Sequence, residues 1–359
     1  MSSLSIFAGP AARSHILQHG LRQEDIRLII GASGGPKWFV LYGLDRYLFG
    51  EFFAGRQTPL ATIGSSAGAW RLACLGQNDP VAAIDRLAEH YSSQTYSAKP
   101  DRHEVSREAR SMLDRVLGDS GAREIAENPL IHTHVVADRM KGLLRSERSS
   151  LLGAGLVLCG LANAVSRRSL GLFLERVIFH TSRGGRILEP EDLPTRYVTL
   201  REDNVRSALM ATGSIPLVME SVTDIEATPG QVYRDGGISD YHFDLRFNQV
   251  EGLALYPHFY SAIVPGWFDK MARWRKIDPA HFDNVVLLAP SPEFVATLPG
   301  GKIPDRKDFE TMTEAQRINN WKNVLAASEA LGEEFAGLLA NGGLVDRIQP
   351  LTRDRSLHR

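Results

Sequence analysis

Only two cysteines occur in the 359 residues, Cys74 and Cys159. Each stands inside an apolar run without the partner spacing of a metal site or redox motif, so a disulfide-stapled scaffold is excluded and buried thiols in a reducing compartment are expected. Charge of one sign is missing too. With 41 Lys and Arg against 42 Asp and Glu, the net charge of -1 provides no basic field to hold nucleic acid non-specifically. The stretch MSSLSIFAGPAARSH has neither the basic start nor the apolar core of a secretory signal, and the cytoplasm is the expected location. Long hydrophobic runs are absent as well. The most apolar stretch, Leu151 to Val165, is shorter than the roughly 20 residues a spanning helix needs. No internal repeat or low-complexity segment interrupts the chain.

What is present is the pattern of an α/β protein. Runs rich in Val, Ile and Leu alternate with longer segments of helical period, which favours a mostly parallel central sheet flanked by helices. The expected strands are Ile26 to Ile30, Leu60 to Ile63, Thr133 to Ala137, Arg176 to His180, Val232 to Arg234, Gly252 to Tyr256 and Asn284 to Leu288. A helix is expected from Thr313 to Leu339, and a surface loop over 298–309. The tail RDRSLHR is expected to fray. One domain over 1–359 accommodates these elements, with a C-terminal extension over 246–359 packed on it.

Three turns carry possible chemistry. Gly64-Ser65-Ser66-Ala67-Gly68 matches G-x-S-x-G between a strand and a helix-like run, which exposes the central Ser66 hydroxyl at a helix N-terminus. A tightly packed turn of small residues is the plainer reading of the same letters. Gly31 to Lys37, GASGGPK, also follows a strand. As a phosphate cradle it fails, because Pro36 replaces the glycine before the lysine and Trp38 replaces the hydroxyl that would hold magnesium. As an oxyanion hole it offers the amides of Gly34 and Gly35, with Lys37 adding charge or tying the loop down. The third turn, Tyr233-Arg234-Asp235-Gly236-Gly237, ends a strand in an acid that is placed either to accept a proton or merely to turn the chain. A serine needs a base, and His242, His258 and His281 are the histidines downstream; none has a motif around it.

Taken in order, these three turns resemble the patatin-like phospholipase family, whose pattern is G-G-G-x-[RK]-G, G-x-S-x-G and D-G-[GA]. The segment SALMATGSIPLVM, Ser207 to Met219, resembles the family's Ala- and Ser-rich stretch, and the likeness spans about 24–245. The resemblance implies a patatin-like three-layer sandwich and a serine acyl hydrolase of the phospholipase A or lysophospholipase kind. Ser66 would be the nucleophile and Asp235 the base, with Gly34, Gly35 and Lys37 in the oxyanion loop. Gly64, Gly68, Gly236 and Gly237 would be motif glycines. No metal or organic cofactor is implied, and the substrate would be a lipid acyl ester. Two positions depart from the pattern. Ser33 stands for the first loop glycine and Trp38 for the last, where its bulk would narrow the acyl pocket or shift the donating amide. A Ser-His-Asp esterase and a non-catalytic lipid-binding relative are the alternatives. For Leu151 to Val165, followed by Arg167 and Arg168, two readings stay open: a helix of the core, or an interfacial helix making transient membrane contact with basic residues near headgroups. On the first reading Lys141, Arg145 and Arg148 join those arginines as a solvated rim.

Overall fold

β-Branched and leucine-rich runs bounded by Gly, Pro and Ser become strands here because both faces of the sheet are covered. The computed structural model describes residues 2–272 and 274–351, apart from the side chain of Asp224. The expected fraying of 353–359 falls outside the described residues. All seven expected strands form, as β2 (Ile26–Gly31), β3 (Leu60–Ser65), β4 (Ile131–Met140), β5 (Leu174–Thr181), β8 (Thr228–Asp235), β9 (Leu253–Pro257) and β10 (Val285–Pro290). Four more were not anticipated: β1 (Leu4–Ala8), β6 (Thr195–Leu200), β7 (Val222–Ile225) and β11 (Ile348–Pro350). All of them lie towards the margins of the sheet.

Among the described residues the sheet has eleven strands, nine of them in the order β11-β1-β10-β9-β2-β3-β4-β5-β6. Its centre, from β10 through β9, β2 and β3 to β4, is parallel throughout. Antiparallel pairing begins outside that block, at β1 with β10 and at β5 with β4. The α/β reading with a mostly parallel sheet therefore holds. Residues after 245 do more than cover it, because β9 lies between β2 and β10 and hydrogen-bonds to both.

The helix expected over Thr313 to Leu339 is two helices, Glu314–Ala327 and Glu329–Ala340, that meet at Ser328. The first begins at a capping box in which the Gln316 N–H donates to the Thr313 hydroxyl and the Thr313 N–H to the Gln316 side chain. The interruption has a packing cause. Ser328 Oγ accepts the Gly43 N–H at 2.9 Å, and a Cβ on Gly43 would stand 2.4 Å from the Glu329 backbone. A chain with no side chain at 43 thus lies directly on the joint. Both cysteines are buried and unpaired.

A Gly43→Ala substitution is expected to destabilise the fold by about 1–3 kcal/mol, since the methyl meets backbone that cannot rotate away. Gly337, exposed in the same helical pair with open space around its Cβ position, gives the opposite result. Gly337→Ala should stabilise by about 0.5–1 kcal/mol. Urea unfolding of both variants measures the two signs together.

Candidate active site

The register of β4 brings the Ser66 turn and the Asp235 turn together. Strand β3 runs parallel to β4 and ends with Ser65 opposite Val136. On the same edge of β4 the next residue, Ala137, pairs with Asp235, the last residue of the antiparallel β8. Since β5 occupies the other edge over His134 to Met140, β3 and β8 must meet end to end. Ser66 and Asp235 are the residues at that junction.

Ser66 has φ 51° and ψ -131°, a strained conformation for a residue with a side chain. Its N–H donates to Thr212 Oγ1 at 2.7 Å, and the Thr212 hydroxyl donates to the Val136 carbonyl at 2.5 Å. The helix Ala67–Leu75 starts immediately afterwards, so Ser66 stands at its N-cap, where unbonded amides and the helix dipole favour negative charge. Ser66 Oγ donates to Asp235 Oδ2 at 2.9 Å. Asp235 Oδ1 accepts the Gly237 N–H at 2.7 Å, and the Asp235 N–H donates to the Ser214 carbonyl at 2.9 Å. With exposures of 4% and 5%, serine and aspartate are nearly shut off from solvent. Burial raises the pKa of Asp235; Arg306, the Gly237 amide, Ser66 and Lys270 draw it back down.

Small residues are required where backbones cross. A Cβ on Gly68 would lie 2.1 Å from the Gly31 carbonyl oxygen, and one on Gly236 would lie 2.0 Å from that of Val136. Gly64 is similarly closed off by the Ala69 backbone, and Gly237 by Ser33 and Asp235. The glycine turn at 31–37 is therefore stacked against the elbow, with Ser33 beside the aspartate loop. Ser65 has a structural task. Its hydroxyl donates to the Asp240 carbonyl at 2.6 Å, which ties the elbow to the loop after Asp235.

The N–H groups of Gly34 and Gly35 make no hydrogen bond among the described residues, whereas that of Lys37 closes a turn onto the Gly34 carbonyl. Gly35 takes φ 56°, and Arg306 Nε lies 3.2 Å from where its Cβ would stand. Trp38 is 1% exposed and packs in the core with Phe39 and Tyr91, its indole N–H without a partner among the described residues. Three cations surround this region. Lys37 is half-buried, and burial lowers its pKa against the pull of Asp305. The Lys270 ammonium lies 3.5 Å from the centre of the Tyr241 ring. Although its chain reaches solvent, desolvation of the ammonium by burial, then Lys37 and Arg306, push its pKa down to about 7 while Asp235 opposes them. The Arg306 guanidinium makes no hydrogen bond or ion pair among the described residues.

The histidines are engaged elsewhere. His242 accepts the Val264 N–H on Nδ1, and His258 contacts Tyr260. Burial drives the pKa of His242 well below its ordinary value and that of His258 down to about 3. His281 pairs with Asp244 at 2.8 Å.

Two supporting groups escaped the sequence reading. Thr212 lies within the Ala- and Ser-rich stretch, but nothing in its letters singled out that hydroxyl as the Ser66 acceptor. The other is a buried ionic network. Arg176 grips Asp240 through two hydrogen bonds of 2.6 and 2.8 Å and Asp192 through two of 2.8 and 3.0 Å. Ser239 links Asp240 to Asp138, whose pKa burial and then Asp240 raise well above the usual range. These partners lie far apart in sequence, so no spacing signal joins them.

No family model and no curated protein matches the chain. Among solved structures it is distantly similar to human GIVD cytosolic phospholipase A2, at 13% identity and a TM-score of 0.37 over 94% of this chain. It spans 62% of the length of that protein. VipD from Legionella pneumophila is similar at 13% identity and a TM-score of 0.35, over 92% of this chain and 70% of VipD. At such distances the chemistry has to be argued from this chain's own side chains.

Thr212→Val leaves the buried Ser66 N–H and Val136 carbonyl without their shared partner, and should destabilise by about 1–3 kcal/mol in urea unfolding. Thr212→Ser, which keeps the hydroxyl, should recover most of the loss.

Proposed function

We propose that this chain is a serine acyl hydrolase that cleaves lipid acyl esters, in the manner of a phospholipase A or lysophospholipase, through Ser66 and Asp235 without a histidine. The observation that carries the reading is the 2.9 Å hydrogen bond from Ser66 Oγ to Asp235 Oδ2 on a strained turn at a helix N-terminus. In this reading Asp235 Oδ2 takes the hydroxyl proton as Ser66 Oγ attacks the ester carbonyl carbon. The carbonyl oxygen becomes an oxyanion, for which the unbonded amides of Gly34 and Gly35 are the candidate donors. As the tetrahedral intermediate collapses, the C–O bond to the alcohol breaks and Asp235 returns the proton to that oxygen. Water then attacks the acyl-Ser66 ester, Asp235 accepting its proton and passing it back to Ser66 as the fatty acid leaves.

A carboxylate is ordinarily a weak base toward a hydroxyl, and the burial that raises the Asp235 pKa makes it a stronger one. Lys37, Lys270 and Arg306 favour an ester that also bears negative charge, as a phospholipid does. The patatin-like order of the three turns supports the same assignment.

Ser66→Ala should abolish hydrolysis of a p-nitrophenyl acyl ester and labelling by a fluorophosphonate. Asp235→Asn should lower kcat/KM by about 10²–10⁴-fold. Single alanine variants of His242, His258 and His281 that remain folded should keep turnover; a folded but inactive one would shift the assignment to a histidine-based triad. Because the base acts when ionised, activity should rise with pH through an apparent pKa above the ordinary Asp range of about 3.9. An acid limb at or below that range would exclude a buried Asp235 as the base.

A further inference from the structure

The helix Ser149–Val165 lacks the polar outer face usual for a surface helix. Its inner face, with Leu152, Leu156 and Cys159, packs on a small secondary core. Every exposed position from 151 to 165 is also apolar, and these recur at 151, 154, 157, 158, 161, 164 and 165. Leu161 is 64% exposed and Val165 88%. A helix in contact with water normally puts charged residues there.

The apolar surface extends onto a second segment. Phe268 packs against Gly160 of the helix, 3.2 Å from where a Cβ would stand. Around it the exposed Trp267, Met271 and Trp274 add two indoles and a thioether, Met271 at 87% exposure. Polar ties fix loop and helix as one unit: Asn163 Nδ2 donates to Asp269 Oδ1 at 2.7 Å, and Arg275 to the Asn163 carbonyl at 2.5 Å. The same loop is tied to the turn after Asp235, the Trp267 N–H donating to the Gly237 carbonyl at 3.1 Å. One end of the apolar surface thus lies next to the candidate site.

Its flanks are basic. Residues 141–172 contain Lys141, Arg145, Arg148, Arg167 and Arg168 against Glu147 alone, and 266–276 contains four cations against Asp269 alone. Glu147 is taken up by Arg102 and Arg234 from outside these segments, whereas Arg167 and Arg275 are themselves paired with Asp269. Arg168 and Lys276 are exposed and form no ion pair among the described residues. At 17 residues the helix is too short to cross a bilayer, and no helix among the described residues is long and apolar enough to do so.

We infer that this surface docks on an anionic lipid bilayer, with the outer face of Ser149–Val165 and the side chains of Trp267, Met271 and Trp274 entering the interface. Charge complementarity selects this occupant. A second copy meeting the surface face to face would bring the same cations against these, whereas anionic headgroups bring opposite charge. Indole side chains partition to the level of the headgroups, and an amphipathic helix lying flat buries its apolar side beneath them. Docking does not depend on the hydrolytic assignment, so the two stand or fall separately.

The test is flotation of the full chain with vesicles of equal parts phosphatidylcholine and phosphatidylglycerol. The wild type is expected to float, to lose binding as salt rises, and to show tryptophan quenching by brominated phosphatidylcholine in the same vesicles. The double variant Val157→Glu, Leu161→Glu should bind on the order of tenfold or more weakly. Its circular dichroism, melting temperature and hydrolysis of a soluble short-chain ester should be unchanged. Absence of flotation by the wild type, equal flotation by the variant, or equal binding to pure phosphatidylcholine would overturn the inference. So would a wild-type dimer in sedimentation velocity that the same variant converts to monomer.

Discussion

One edge of strand β4 governs the centre of this molecule. Two strands of opposite direction share that edge, β3 as far as Val136 and β8 from Ala137 onwards, and their ends are forced to confront each other. Each must turn away at once, which explains the glycines at 64, 68, 236 and 237 and the left-handed φ of Ser66. The strain at Ser66 persists because its surroundings leave no other arrangement: Thr212 holds its N–H, and the Gly31–Gly68 crossing blocks movement of the helix behind it. A serine and a carboxylate reach hydrogen-bond distance as a consequence of sheet register.

The acids near this junction show how environment separates groups of one kind. Asp138 is fully enclosed beside Asp240, and its carboxyl is pushed towards the neutral form, bonded to Ser239. Asp240 is gripped by two donors of Arg176, while its carbonyl anchors Ser65. Asp235 lies between burial and a ring of cations, with one oxygen fixed by the Gly237 amide and the other bonded to Ser66. Asp138 and Asp240 stabilise the loop that presents Asp235. Buried ion pairs of this kind add little net stability on their own, but losing one partner leaves a charge stranded.

The same economy shapes the surface. Helix Ser149–Val165 is fastened by its inner apolar face and by Asn163, leaving an equally apolar outer face uncovered. Composition cannot separate a helix apolar all round because it is buried from one that meets a second non-aqueous phase, since both contain the same residues. Only the exposure of Leu161 and Val165 makes that distinction.

Much of the architecture was legible in the letters. Runs of Val, Ile and Leu marked seven strands, because burial on both faces demands continuous apolar sequence. The G-x-S-x-G and D-G-G turns singled out Ser66 and Asp235 as candidates, because tight crossings leave few residue types that fit. Marginal strands such as β6 escaped, as did the break at Ser328, where a contact with Gly43 some 285 residues away interrupts a continuous helical pattern. The sequence by itself determined the strand-turn-helix units and the residues able to do chemistry in them, because those depend on local periodicity and steric limits. Tertiary structure alone decided that β9 enters the middle of the sheet, that Ser66 bonds to Asp235 and not to a histidine, and that Thr212 and Arg176 support the pair. Those outcomes depend on which distant segments share an edge of β4, and pairing across a sheet leaves no periodic trace in the chain.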